Sequence, residues 1–137
     1  MKPNYLLDTN ILSEPLKLIP NTKVLEKLKQ YKQQLATASI VIQEMTFGYQ
    51  RLPHSKRRQK IEEYTQGLIK TMPILPYTLE SAIWHGTERA RLSQKGLTPT
   101  FIDGQIAAIS KENNLILVTI NIEDFQNFDI KIENWFK

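Results

Sequence analysis

The stretch Tyr5-Leu-Leu-Asp8-Thr-Asn10-Ile-Leu12 combines a short apolar run with an acidic residue and the start of a turn. A continuous apolar run of this kind predicts a strand that is buried on both faces, as in a parallel sheet. Asp8 follows the run directly, so its carboxylate would emerge at the carboxyl end of the first strand. Ligands of open α/β sheets lie beyond the carboxyl ends of the strands. We therefore expect chemistry at Asp8 and at the sheet edge around it.

Strands alternate with helices along the rest of the sequence. Short apolar runs at 35–38 and 115–119 predict two more strands, and the pair at 74–75, which lies between prolines, predicts an edge strand. A last strand is predicted at Ile130 and Ile132, where apolar and charged residues alternate. Segments with helical spacing of apolar residues separate these runs. The alternation predicts an α/β fold with a central parallel β-sheet sandwiched between α-helices.

Size and composition indicate one globular domain. The chain has 137 residues, enough to bury about 70% of the surface of the unfolded chain, and we predict a single domain over residues 1–137. The absence of cysteine excludes disulfides, thiolate metal sites and cysteine nucleophiles. No apolar run approaches the length of a membrane span, and the N-terminal residues lead into a strand rather than a signal-peptide apolar region. We therefore expect a cytoplasmic protein that makes no contact with a membrane.

Charge and known motifs narrow the classes of function. The formal net charge of +4 favours a polyanionic partner only weakly. The densest basic run, Lys56–Lys60, lies on a predicted amphipathic helix and is also explained as a solvated surface. His54 and His85 have surface or packing explanations. The sequence contains no phosphate-binding glycine loop, dinucleotide fingerprint or Gly-x-Ser-x-Gly elbow, which removes ATP, nicotinamide and acyl-transfer chemistry.

Four acidic residues lie at element boundaries or on apolar helix faces, namely Asp8, Glu44, Asp103 and Asp124. Each has a structural explanation when taken alone. Asp103 lies three residues after Thr100, which is the spacing of a capping box. Asp124 stands in the same relation to Asn121. Asp8 would cap the turn that follows it, and Glu44 would pair with a lysine.

Taken together, the four acids point to a shared site. Asp8 and the turn at Asn121 both follow predicted parallel strands, and Asp103 opens a helix that should start at the same edge. Clustered carboxylates repel one another unless a cation lies among them. Oxygen ligands without cysteine suit Mg²⁺ or Mn²⁺ rather than Zn²⁺, and such an ion activates water for attack on a phosphodiester. The sequence therefore predicts phosphodiester hydrolysis, with these acids as catalytic and metal-binding residues.

Four short motifs occur in order along nearly the whole chain. They are Leu-Leu-Asp8-Thr-Asn10-Ile-Leu-Ser-Glu-Pro, Ser-Ile-Val-Ile-Gln-Glu44-Met with Gly48 behind it, Asp103-Gly-Gln-Ile-Ala-Ala-Ile, and Leu-Val-Thr119-Ile-Asn121-Ile-Glu-Asp124-Phe. Together they resemble the PIN-domain ribonucleases, and within that family the VapC and FitB-like toxins of bacterial toxin–antitoxin modules. Each motif alone is weak, whereas the ordered set is specific.

The resemblance implies a role for each matching residue. Asp8 and Asp103 match the family's principal metal-binding acids. Glu44 matches the acid on the helix after the second strand, and Asp124 matches the fourth acid. Polar positions that line or support the family's site are matched as well, by Asn10, Thr119 and Asn121.

The resemblance also implies an activity and partners. It implies an endoribonuclease toxin that uses Mg²⁺ or Mn²⁺, leaves 5′-phosphate and 3′-hydroxyl ends, forms a homodimer and is inhibited by a cognate antitoxin. An acidic pocket repels RNA until metal binds, so basic residues at its rim would supply phosphate contacts. The candidates are Arg89, Arg91, Lys95 and the run Lys56–Lys60. Many relatives carry a basic or polar residue where this chain has Ile120, a departure that affects an RNA contact and not the metal site.

Other interpretations of the same residues remain open. In a non-catalytic PIN-like RNA- or protein-binding module, the acids would only cap helices. RNA trimming or decay outside any toxin system would use the same chemistry. A receiver-like phosphoacceptor domain is disfavoured, because receivers carry their acceptor on a later strand and an acid pair before it. The haloacid-dehalogenase phosphatases need a second aspartate two residues after the first, where this chain has Asn10.

Overall fold

The structure is a computed structural model that describes residues 2–137. Five strands form its sheet: β1 (Tyr5–Leu7), β2 (Leu35–Ala38), β3 (Ile74–Leu75), β4 (Ile116–Val118) and β5 (Lys131–Glu133). The α-helices within the described range are α1 (Thr9–Leu12), α2 (Thr22–Gln30), α3 (Ser39–Gln50), α4 (Lys56–Thr71), α5 (Leu79–Gln94), α6 (Phe101–Glu112) and α7 (Ile122–Phe125). None of these helices combines the length and the apolar character that a membrane crossing requires.

All neighbouring strands are parallel, and the order of the strands reverses beside β1. Across the sheet the order is β3-β2-β1-β4-β5. The chain builds outward from β1 through β2 to β3, then returns and adds β4 and β5 on the opposite side of β1. In open α/β sheets the crevice at such a reversal is where ligands bind. The ends of β1 and β4 therefore mark the expected position of the site.

Helices cover both faces of the sheet. All four residues of β2 are buried, although successive side chains point to opposite faces. Leu6 and Leu7 of β1 have no exposed surface, and the same holds for Leu117 and Val118 of β4. Burial on both faces explains why these strands read as continuous apolar runs. The predicted α/β fold, with a central parallel sheet between helices, is confirmed.

Three aromatic rings pack together beside the start of β1. The ring centroid of Tyr5, at the start of β1, lies 4.8 Å from that of Tyr31 and 5.2 Å from that of Trp135. Trp135 is almost fully buried, and its indole N–H donates to Glu133 at 3.1 Å. Aromatic pairs of this kind contribute about 0.5–1.5 kcal/mol beyond the burial of area.

A glycine allows α5 and α6 to pack closely. A Cβ atom placed on Gly104 of α6 would overlap the imidazole of His85 on α5. His85 is buried, its Nδ1 lies 3.2 Å from the Tyr77 hydroxyl, and the Phe101 ring meets it edge-on. The sequence suggested a surface or packing role for His85, and packing is what the structure shows. The contact fixes the start of α6, where Asp103 lies.

Replacing Gly104 by alanine should lower the free energy of unfolding by about 1–3 kcal/mol, because the added methyl group overpacks the contact with His85. The matched control is Gly67→Ala in the middle of α4, where an added Cβ meets no atom within 4 Å. There alanine should stabilise the helix by about 1 kcal/mol or less. Urea denaturation of both variants measures the difference. Equal effects at the two positions would contradict the proposed packing.

Candidate active site

Asp8 is the buried centre of the candidate site. It follows β1 directly, is 5% exposed and receives hydrogen bonds on both carboxylate oxygens. The N–H of Thr9 donates to Oδ1 at 2.8 Å. The hydroxyl of Thr119 donates to Oδ2 at 2.8 Å, and the amide of Asn10 approaches the same oxygen at 3.3 Å. The carboxylate is therefore held in one orientation.

The register of the sheet brings Asp8 and Thr119 together. Leu7 pairs with Val118, so the residues that follow β1 and β4 lie side by side. The backbone continues this pairing, because the N–H of Asp8 donates to the carbonyl of Val118 at 3.0 Å. Contact between residues 111 positions apart in the chain thus follows from one parallel strand pair.

Asn10 and Thr119 join the two loops that leave β1 and β4. The Asn10 side-chain oxygen accepts the N–H of Ile120 at 3.0 Å, and its amide lies 3.4 Å from the Thr119 hydroxyl. That hydroxyl also accepts the N–H of Asn121 at 3.1 Å. These contacts fit the supporting role that the sequence predicts for Asn10 and Thr119. Asn121 contributes its backbone, and its side chain makes no capping bond to α7.

Glu44 reaches the site from α3. Its Oε1 accepts the hydroxyl of Thr9 at 3.0 Å, so the residue next to Asp8 also holds the second acid. Burial raises the pKa of the Glu44 carboxyl, the bond from Thr9 lowers it, and the charges of Asp8 and Asp103 raise it. The structural explanation of Glu44 was an ion pair with a lysine. Glu44 forms no such ion pair among residues 2–137.

Asp103 lies in the first turn of α6. Thr100 caps this helix, and its Oγ1 accepts the N–H of Asp103 at 3.2 Å. The capping interpretation of Thr100 is thus confirmed, yet the Asp103 carboxyl also faces other acids. Burial raises its pKa, a hydrogen bond with Thr100 lowers it, and the charges of Asp124 and Asp8 raise it further. Capping and membership of the acidic cluster therefore coexist at this residue.

Asp124 is the exposed member of the group. It lies in α7, and its N–H donates to the carbonyl of Asn121 at 3.1 Å. Its charge is felt by two other acids, because it raises the pKa of Asp103 and that of Asp8. For Asp8, burial is the largest cause of the raised pKa, while the bonds from Thr119, Thr9 and Asn10 oppose it. Asp124 therefore lies at the rim of the same acidic region.

The structure brings the four predicted acids to one edge of the sheet as an electrostatic cluster. It does not hold them in ligand geometry, since no group of three or more His, Cys, Asp or Glu side chains in residues 2–137 is arranged to bind a metal ion. The donor chemistry nevertheless fits Mg²⁺ or Mn²⁺, which take carboxylate oxygens. The raised pKa values of Asp8, Glu44 and Asp103 mark carboxylates whose charged forms a cation would stabilise.

A groove connects Glu44 with basic side chains. A cavity of about 850 Å³ is bounded by Thr9 and Glu44 at the acidic end. Its basic lining comprises Lys17, Arg51, Lys56, Arg57 and Lys60. We call this cavity the basic groove. It includes three residues of the basic run that the sequence offered as RNA contacts, and it places them beside an acid of the cluster.

Three polar residues that line this groove were not predicted from the sequence. Thr9, which holds Glu44, directly follows Asp8. Arg51 lies seven residues after Glu44, at the C-terminal cap of α3. Seven residues make about two helical turns, so this spacing indicates that Arg51 and Glu44 lie on the same side of the helix. Lys17 pairs with Glu14 at 2.9 Å, and no local pattern connected it with the acids.

The remaining candidate RNA contacts have different roles. Arg91 donates to both carboxylate oxygens of Glu88, at 2.7 and 2.8 Å, and to the carbonyl of Asn127 at 2.9 Å. Its guanidinium thus ties α5 to the loop before β5, and the RNA contact at Arg91 stays a prediction. Arg89 is exposed and lies over the ring of Phe101. Lys95 ends α5 and is exposed.

Comparison with known proteins gives a consistent result. The family model described as PIN domain matches residues 5–131, a range that contains all four acids. The chain is 29% identical over 132 residues to Ribonuclease VapC2 of Haemophilus influenzae, covering 96% of this chain and 97% of that protein. It is 28% identical over 133 residues to Toxin FitB of Neisseria gonorrhoeae, covering 94% and 96%. The crystal structure of FitAcB from Neisseria gonorrhoeae superposes with a TM-score of 0.89 at 27% identity, covering 96% and 98%.

Replacing Asp103 by asparagine should raise the stability of the protein at neutral pH in EDTA. Burial, followed by the charges of Asp124 and Asp8, raises the pKa of the Asp103 carboxyl in the folded protein above its ordinary value of 3.8. The folded state then binds more protons than the unfolded chain, so stability falls as pH rises from that value through the folded-state pKa. The gain from the substitution should therefore be present at about pH 7 and shrink towards about pH 4.

Thermal unfolding at the two pH values measures this gain. The matched control is Glu26→Gln on α2, which removes an exposed acid that belongs to none of the ion pairs of residues 2–137. A gain for Asp103→Asn that is the same at both pH values, or the same as the control, would show that repulsion within the cluster is not its source.

Proposed function

The chain belongs to the PIN-domain family, and from this we propose that it is an endoribonuclease toxin of a toxin–antitoxin pair that hydrolyses RNA with Mg²⁺ or Mn²⁺. One observation supports the proposal above all others. Glu44, one acid of the carboxylate cluster, lines the basic groove, so one surface offers a carboxylate for chemistry and cations for a polyphosphate. The relatives are named a ribonuclease and a toxin, which agrees with this chemistry.

In this proposal the basic groove positions the RNA. Arg57 and Lys60 lie on α4 and line the same cavity as Glu44, so a strand along the groove would meet cations first and acids last. Phosphate contacts supply affinity that is independent of sequence and depends on salt. They also overcome the repulsion between the acidic cluster and the RNA backbone. Single-stranded RNA suits the open groove, because its backbone can bend towards the acids.

The metal would be held by Asp8, Asp103, Glu44 and Asp124, with Asp8 as the most buried carboxylate. A bound Mg²⁺ or Mn²⁺ would activate water and neutralise charge on the scissile phosphate. The protein's own residues set the geometry. Thr119, Asn10 and the Thr9 N–H orient the Asp8 carboxylate, and the Thr9 hydroxyl orients Glu44. Glu44, whose pKa is raised by burial, is suited to accept the proton that the attacking water loses. Breaking the bond between phosphorus and the 3′ oxygen would leave a 5′-phosphate, and the 3′ oxygen would take a proton from solvent to become the 3′-hydroxyl.

The proposal includes partners. A toxin of this kind acts on RNA in the cytoplasm and is held inactive by a cognate antitoxin, and we propose both for this chain. Toxin FitB and the FitAcB structure are the relatives that motivate this step. We also propose that the protein forms a homodimer, in keeping with the family that its motifs resemble.

Purified protein should cleave total cellular RNA at discrete sites with Mg²⁺ or Mn²⁺ and not with EDTA. Asp8→Asn should lower the rate by about 100-fold or more, because it removes the charge of the most tightly held carboxylate. The control is Asp129→Asn, which removes an exposed acid that pairs with Lys111 at 3.2 Å. This control should cleave like the wild type. Mapping of the 5′ ends identifies the target.

Circular dichroism separates loss of chemistry from loss of fold. The Asp8→Asn variant should keep the wild-type spectrum and a cooperative unfolding transition, because asparagine has the size of aspartate, although its amide nitrogen cannot accept the hydrogen bonds that reach one of the two carboxylate oxygens. If wild type and variant are equally inert with metal while both bind RNA or a partner protein, the ribonuclease proposal is wrong. The acids would then cap helices in a non-catalytic PIN-like binding module.

Neutralising the basic groove should weaken RNA binding and its dependence on salt. In an Asp8→Asn background with EDTA, Arg57→Gln and Lys60→Gln should each reduce the slope of log K against log salt by about 0.7, the value for one phosphate contact on a single strand. Lys70→Gln, an exposed lysine in the last turn of α4 and outside the groove, is the control. Fluorescence anisotropy of a labelled RNA oligonucleotide measures the slopes. Equal slopes for Arg57→Gln and Lys70→Gln would place the RNA elsewhere.

A further inference from the structure

A second, smaller cavity lies where α5 meets the start of α6. Its volume is about 370 Å³, and its lining includes Arg89 and Phe101 together with the hydroxyl side chains of Ser93, Thr98 and Thr100. This cavity shares no lining residue with the basic groove. The role of Arg89 there is not explained by the packing of the protein, because the side chain is exposed.

Arg89 and Phe101 form a stacked pair at the surface. The guanidinium carbon lies 4.3 Å from the centroid of the Phe101 ring, and this ring is 59% exposed. The ring of His85 meets Phe101 at an interplanar angle of 79°, so the phenyl group is held from the side of the core. Two planar groups, one aromatic and one cationic, are thus presented to solvent. Such surfaces stack on nucleobases in proteins that bind single-stranded RNA.

The charge of Arg89 is available to a ligand. Arg89 takes part in none of the ion pairs found within residues 2–137, whereas its neighbour Arg91 is bound by Glu88. Burial, and then the charge of Arg89, lowers the pKa of His85, so the ring beside Phe101 is neutral at pH 7. The His85 ring packs against Phe101 from the core, and Arg89 supplies a positive charge that belongs to no ion pair of residues 2–137. These two features favour an anionic ligand with a planar group.

Thr100 connects this cavity with the acids. It lines the cavity, and it caps α6 by accepting the N–H of Asp103 at 3.2 Å. A nucleotide whose base stacks on the Arg89–Phe101 pair would lie two residues along α6 from Asp103, an acid of the cluster. From these contacts we propose that Arg89 and Phe101 form a stacking platform for a nucleobase of single-stranded RNA beside the scissile phosphate. The platform deepens the proposed ribonuclease function and rests on it for its substrate.

Two RNA probes with the same number of phosphates isolate the stacking. One is a fluorescein-labelled oligoadenylate, and the other is a ribose-phosphate oligomer of equal length that lacks bases. In EDTA, the wild-type protein should bind the oligoadenylate about tenfold more tightly than the abasic oligomer, the scale of one stacked base. Phe101→Leu should reduce this ratio several-fold and leave affinity for the abasic oligomer unchanged. Phe101→Trp should restore the ratio.

Arg89→Lys tests the guanidinium separately from its charge. The lysine keeps the positive charge but has no planar group, so it should reduce the ratio between the two probes while abasic binding persists. Ile69→Ala on α4 is the control, because Ile69 is an exposed apolar residue that lines neither cavity. It should leave the ratio at the wild-type value. A fall of the same size in Ile69→Ala would overturn the assignment to Phe101.

Cleavage of RNA by the same variants distinguishes the two proposals. Phe101→Leu should raise KM several-fold with kcat unchanged. If the protein cleaves RNA but Phe101→Leu leaves the ratio between the two probes unchanged, the stacking platform is wrong and the ribonuclease proposal stands. Base-dependent binding without cleavage overturns the ribonuclease and retains the platform as an RNA-binding surface. Sedimentation velocity should give wild type and Phe101→Leu the same mass, and a smaller mass for the variant would assign Phe101 to a contact between copies of the chain instead.

Discussion

The hydrogen bond from the Thr119 hydroxyl to the Asp8 carboxylate, at 2.8 Å, joins the two strands between which the order of the sheet reverses. Everything else at the site is arranged around it. The same hydroxyl accepts the N–H of Asn121, which begins the turn that carries Asp124. The residue on the other side of Asp8, Thr9, holds Glu44. One parallel strand pair thus positions three of the four acids, and the capped start of α6 brings the fourth.

This arrangement costs stability. A carboxylate buried to the extent of Asp8 has a raised pKa even though three groups donate to it, because desolvation outweighs those hydrogen bonds. Glu44 and Asp103 add charge of the same sign. A sequence selected for stability alone would place neutral side chains at these positions. Their presence at a strand-order reversal agrees with the proposed function, in which a cation would offset their charge.

The sequence predicted those parts of the structure that depend on local patterns. Apolar runs predicted the strands, and the boundary position of Asp8 predicted its place at the sheet edge. The Thr100 cap of α6 was also predicted, because capping acts over three residues. Glu88 and Arg91 are an i,i+3 pair on α5, a local pattern that the sequence contains. Contacts between distant segments were not predictable, and the bond from Arg91 to the carbonyl of Asn127, 36 positions away, is an example. The stacking of Arg89 on Phe101 depends in the same way on how α5 packs against α6.

Chemistry and recognition lie on different elements in this protein. Asp8 and its hydrogen-bond donors sit at buried strand ends, where a change at one position disturbs several contacts at once. The basic groove and the Arg89–Phe101 pair lie on the exposed sides of α4 and α5 and at the start of α6. Exposed side chains can change with little cost to the core. In the proposed function, side chains that contact RNA can therefore change while Asp8 stays in place, because Asp8 and Thr119 are tied to the register of the sheet.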